Sequence, residues 1–82
     1  MPVIARFYGI LIKMYFLEHG RPHFHALYGE FNAVFDIVTL EAMEGDLPAR
    51  AEGLVRDWAA LYQAELLEMW KTQKFKQLPG LE

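Results

Sequence analysis

All three histidines of this 82-residue chain fall within one seven-residue run, His19-Gly20-Arg21-Pro22-His23-Phe24-His25. Imidazole titrates near neutral pH and is the commonest metal ligand among side chains. His23 and His25 are two residues apart, so on a strand they project from the same face and can reach one ion or one substrate group. A carboxylate beside either ring would hold one tautomer and raise the basicity of the other nitrogen. That arrangement suits a general base and a metal ligand equally. The plainer reading is that histidines in a turn cap carbonyls and pack. His19, next to Gly20, fits it best.

The elements that carry this run have the period of strands up to about residue 45. Val3–Phe7 and Ile10–Phe16 flank Tyr8-Gly9, a two-residue hairpin turn with glycine where φ must be positive. His23–Tyr28 and Phe31–Ile37 flank Gly29-Glu30, a Gly-X pair suited to a type II′ turn. A short fifth strand is expected near Leu40–Met43, ending at Gly45. Asp46-Leu47-Pro48 then signals a helix start, with proline where a missing N–H costs nothing. Val55, Trp58, Tyr62, Leu66, Met69 and Gln73 recur at three- and four-residue steps. One helix from Pro48 to Lys74 would be roughly 40 Å long, against a radius of gyration of about 12 Å for a chain of this size. A break is therefore expected near Leu61–Gln63, or else a helix that projects to a partner. The expected fold class is α+β: an antiparallel meander of four to five strands, built from two hairpins, with one or two C-terminal helices on one face. It forms a single domain over 1–82, with a sheet half (1–45), a helical half (46–76) and a frayed tail (77–82).

Turn type sets register, and register sets faces. Pairing Phe7 with Ile10, Ala5 with Ile12, Val3 with Met14, Tyr28 with Phe31, Ala26 with Ala33 and Phe24 with Phe35 makes one wholly apolar face, the core side. The opposite face then carries Ile4, Arg6, Leu11, Lys13, Tyr15, His23, His25, Leu27, Asn32, Val34 and Asp36. In this register His23 lies directly across from Asp36. The candidate catalytic set is His23, His25 and Asp36, with Arg6, Lys13 and Tyr15 beside them; the two cations would suit a phosphate. The candidate metal set is His19, His23, His25 and Asp36, for a divalent ion such as zinc or nickel. Each has a plainer alternative: Asp36 as a solvated strand residue, Arg6 and Lys13 as solubilising charges. Trp58 and Trp70 read as core or helix-packing residues.

Composition narrows the partners. The chain has no cysteine, hence no disulfide and no thiolate site. A net charge of −3 argues against bulk electrostatic binding of nucleic acid. Arg6, Lys13 and Arg21 nevertheless face only Glu18 within residues 1–25, which leaves room for a local basic patch and an RNA ligand. The apolar fraction, 54%, is generous for one small core, so part of that surface is expected to meet a small protein partner or a second copy. A charge at residue 6 and the lack of any run near ~20 apolar residues point to the cytoplasm, with no membrane association.

Two motif resemblances bear on function. His23-x-His25 followed by Glu30 is similar to the metal motif of cupins, but the flanking glycine spacing is missing, Glu30 sits in a tight turn, and the chain is short for a double-sheet barrel. A second resemblance covers nearly the whole chain. Ile4-Ala5-Arg6-Phe7-Tyr8-Gly9-Ile10, Met14-Tyr15 and His19-Gly20-x-Pro22-His23-Phe24-His25-Ala26 resemble the signature of the small bacterial family named domain of unknown function 4160. So do Ala33–Ile37, Glu44-Gly45-x-Leu47-Pro48 and Trp58…Glu65-Leu66-Leu67…Trp70. Arg21 departs from the family's usual second proline. The resemblance implies a bacterial cytosolic protein that forms one half of a two-gene, toxin–antitoxin-like or regulatory module and acts through protein–protein interaction. It carries over no catalytic residues. The alternative that the residues themselves suggest is a histidine-centred site on the open sheet face, either binding a divalent metal or cleaving RNA phosphodiesters without one.

Overall fold

The computed structural model describes residues 3–81. Five strands form one open antiparallel sheet in the order β1-β2-β3-β4-β5: β1 (Val3–Phe7), β2 (Ile10–Lys13), β3 (His23–Tyr28), β4 (Phe31–Asp36) and β5 (Ala42–Gly45). Two helices come after the sheet, α1 (Ala49–Leu61) and α2 (Gln63–Thr72). Both expected hairpins are present. Tyr8 and Gly9 both have positive φ (50° and 79°), the mark of a type I′ turn, and they close the Phe7–Ile10 pair. Gly29, at φ 58°, closes Tyr28–Phe31.

Alternation along β2, β3 and β4 then sorts the side chains as expected, except that Tyr28 and Phe31, paired at the hairpin end beyond the core, are exposed. Ile10, Ile12, Phe24, Ala26, Ala33 and Phe35 are buried on the core face. α1 covers that face with Ala51, Val55, Trp58 and Ala59. The Trp58 ring lies 5.6 Å from Phe7 and 6.0 Å from Phe24, centroid to centroid, and Phe24 stacks on Phe35 at 5.5 Å. Of the two arrangements expected for the helical half, the structure has the break, within Leu61–Gln63. Tyr62 leaves helical geometry (φ −116°, ψ 21°), and its N–H is shared between the Trp58 and Ala59 carbonyls. The Gln63 amide then donates to the Ile37 and Val38 carbonyls, fixing the start of α2 against the β4–β5 connection. Pro48 stands one residue before α1, its carbonyl accepting the first helical bond from Glu52 N–H.

Two expectations are corrected. A bulge at Ile4 shifts the register of β1, so Val3 pairs with Lys13 instead of Met14, and Ile4 turns into the core, fully buried. The physical reason is that a bulge inserts one unpaired residue, which reverses the in-and-out alternation of the strand on its far side. The tail is not frayed through residue 81. Leu78 N–H donates to the Ile4 carbonyl, the Trp58 indole N–H donates to the Pro79 carbonyl, and Leu78 and Leu81 pack on the core. A Cβ at Gly80 would run into the Arg6 carbonyl and Phe7, so only glycine lets the backbones approach this closely. Glu82 lies outside the described residues. Among the described residues no helix is long and apolar enough to cross a membrane.

Phe35 is fully buried between Phe24 and the helical layer, so Phe35→Ala should cost about 3–5 kcal/mol of stability by denaturant unfolding. Leu11→Ala, on the half-buried opposite face, is expected to cost much less.

Candidate metal centre

β3 is the middle strand, and His23 and His25, on its face opposite Phe24 and Ala26, stand next to the long connection that joins β2 to it. That connection brings Glu18 back over them. Glu18 Oε1 lies 3.1 Å from His23 Nε2 and 3.0 Å from His25 Nε2, and Oε2 lies 3.3 Å from the latter. The three donor atoms all fall within 4.8 Å of one another. Ligand atoms held ~2.0–2.1 Å from a tetrahedral zinc ion are roughly 3.3 Å apart, close to the two contacts that Glu18 makes with the imidazoles.

The tautomer of His23 decides what the contact means. His23 Nδ1 lies 2.7 Å from the Arg21 carbonyl, an acceptor without a proton, so Nδ1–H is the donor. In the neutral ring Nε2 is then a bare lone pair, and it faces a carboxylate oxygen 3.1 Å away. Two acceptors at that distance repel unless a positive charge stands between them. A second ring proton supplies one; a metal ion bound to Nε2 and the carboxylate supplies more, and takes in His25 as well.

Aromatic rings enclose the cluster. The Trp70 ring lies 4.8 Å from His23, Tyr15 meets His25 edge-on at 4.6 Å, and the two imidazoles are 5.3 Å apart. His23 is buried, while Glu18 and His25 are half-buried. The Glu18 loop is pinned from the other side. Leu17 adopts a left-handed conformation (φ 61°) that an L-residue rarely holds, and its N–H donates to Gln73 Oε1 at 2.8 Å. Phe16 stacks on Phe75 at 4.7 Å.

Of the residues singled out in the sequence, His23, His25 and Tyr15 come together. Lys13 is the cross-strand neighbour of His25. Arg6 pairs with Leu11, in a different row of the sheet, and His19 is exposed outside the cluster. Asp36 does lie across from His23, but its carboxylate is committed elsewhere. Oδ2 accepts the Arg21 Nε–H at 2.6 Å, and Oδ1 accepts the N–H groups of Val38 and Thr39 at 2.7 and 3.1 Å. The carboxylate shared by the histidines is Glu18, which stands in the sequence only as a charge among others. Its adjacency to the histidine run is the one signal that could have found it. Trp70 carries none, being 47 positions from His23 in the chain.

Burial alone would push the Asp36 carboxyl up. The hydrogen bonds from Arg21, Thr39 and Val38 and the Arg21 charge outweigh it and hold the group below its usual value. A carboxylate depressed in the folded state stabilises that state above its unfolded pKa of about 3.9 and loses the contribution as pH falls through the lower folded value. Melting temperature should therefore fall as pH drops below about 4, with a shallower acid limb in Asp36→Asn; thermal unfolding across a pH series checks the slope.

Among families of related sequences, the one described as domain of unknown function (DUF4160) matches residues 9–71, a span that contains Glu18, His23, His25, Asp36 and Trp70. No curated protein and no solved structure matches the chain.

Proposed function

We propose that this chain, which belongs to the DUF4160 family, binds one divalent transition-metal ion, zinc or nickel, through Glu18 and the Nε2 atoms of His23 and His25. The observation that carries this reading is the His23 Nε2 atom held 3.1 Å from the Glu18 carboxylate, with a second imidazole nitrogen 3.0 Å from the same oxygen. Three nitrogen and oxygen ligands with a fourth position left open form the donor set of many zinc sites. His23 is buried and Trp70 and Tyr15 flank the rings, which suits an ion that clasps the loop before β3 to the sheet. Cleavage of RNA without a metal has less support, because Arg6 stands in another row and Asp36 is occupied by Arg21.

A protein partner is a second reading, favoured by the exposure of Phe16 (57%) and Leu17 (80%) in the loop that carries Glu18. Half-buried Leu11, Leu27 and Val34 extend apolar surface along the histidine face of the sheet. In a cytoplasmic two-gene module of the toxin–antitoxin-like or regulatory kind, the metal would set the loop that the partner meets. Leu17→Asp would then weaken binding of the neighbouring gene's product in a pull-down while leaving metal uptake intact.

Protein stripped with chelator and titrated with zinc or nickel should take up one ion per chain by calorimetry and elemental analysis. Nickel should also quench Trp70 emission through the adjacent His23 ring. Glu18→Gln, His23→Gln and His25→Gln should each weaken uptake more than tenfold, since an amide is a poor ligand for these metals. His19→Gln should leave it unchanged. Equal affinity in Glu18→Gln and the unmodified protein would sink the assignment.

A further inference from the structure

We infer that Asp36 and Arg21 act as a positioning chain that fixes the tautomer and orientation of His23, without touching the ion. The inference rests on the metal reading for its consequence but not for its geometry. His23 Nδ1–H donates to the Arg21 carbonyl at 2.7 Å, and the Arg21 guanidinium Nε–H donates to Asp36 Oδ2 at 2.6 Å. Asp36 is 2% exposed and is itself locked by the Val38 and Thr39 N–H groups at Oδ1. The same segment is tied a second time where Ile37 N–H donates to the Pro22 carbonyl at 2.9 Å.

An arginine that anchors its Nε to a buried carboxylate differs from an ordinary surface ion pair. Here the side chain is an anchor, and the working atom is the backbone carbonyl. Proline at 22 stiffens the step between that carbonyl and the histidine. Holding Arg21 at its guanidinium and Pro22 at its carbonyl restrains the Arg21 carbonyl where it is found, 2.7 Å from His23 Nδ1. The ring must then present Nε2, unprotonated when neutral, toward Glu18 and His25. Metal-bound histidines are commonly oriented in this way by a carbonyl or carboxylate on the other nitrogen, and loss of such a partner typically weakens affinity 10–100-fold.

Two variants test the chain. Asp36→Asn keeps an oxygen for the Val38 and Thr39 N–H groups, but its amide nitrogen cannot accept from Arg21. Arg21→Ala removes the anchor, its own side chain being 63% exposed, and leaves the Asp36 carboxylate its Val38 and Thr39 N–H donors; thermal unfolding of the variant confirms that it stays folded. Nitrogen-15 spectra of the metal-free protein, taken at a pH where His23 is neutral, should show the Nδ1–H tautomer alone in the unmodified chain. Both variants should show a mixture with Nε2–H. Zinc affinity by calorimetry should fall 10–100-fold in each variant with one site retained, and the double variant should lose no more than either single one. An unchanged tautomer in Arg21→Ala, additive losses in the double variant, or a lowered melting temperature with affinity intact would each overturn the inference. If the unmodified protein takes up no zinc, the metal reading fails, while the tautomer measurement still decides the positioning chain.

Discussion

The alternation of β3 is the constraint on which the rest of the molecule depends. As the third of five strands it is hydrogen-bonded on both sides, so it can neither slip nor twist without breaking two ladders. Phe24 and Ala26 are committed to the core under Trp58, and that leaves His23 and His25 no choice but the opposite face. The imidazoles are held side by side by the packing of phenylalanine, before any loop or ligand contributes.

The connection between β2 and β3 completes the site by a different kind of force. It has no regular hydrogen bonding of its own and is held by contacts from elsewhere: the Gln73 amide on Leu17, Phe75 on Phe16, Asp36 on Arg21 and Ile37 on Pro22. These tie it to the segment after α2 and to the end of β4. Glu18 sits between those anchors and faces two imidazoles. The ion proposed for that position would, once bound, stiffen the loop in return.

The edges of the sheet are treated unequally. The tail lies along β1, with Leu78 donating to the Ile4 carbonyl and Gly80 against Arg6, and the Ile4 bulge turns that side chain into the core beneath it. β5, at the other edge, is short, exposed along its length and carries Glu44, features that discourage edge-to-edge pairing.

The sequence by itself determined whatever depends on neighbours two to four positions away. The period-2 alternation and the Tyr8-Gly9 and Gly29-Glu30 turns are local chemistry. They dictate the hairpins, the buried pairs Phe24–Phe35 and Ala26–Ala33, and the shared face of His23 and His25. Helix length alone left a break near Leu61–Gln63 or a projecting helix, and the structure takes the break, at Tyr62. Only the tertiary structure decided which carboxylate meets the histidines. Register puts Asp36 opposite His23, but backbone N–H groups and Arg21 reach that carboxylate first, and an irregular loop delivers Glu18 in its place. The placement of Trp70, the burial of Ile4 and the docked tail are of the same kind. Each is set by contacts between residues far apart in the chain or by one inserted residue in a strand, and neither leaves a periodic mark in the sequence.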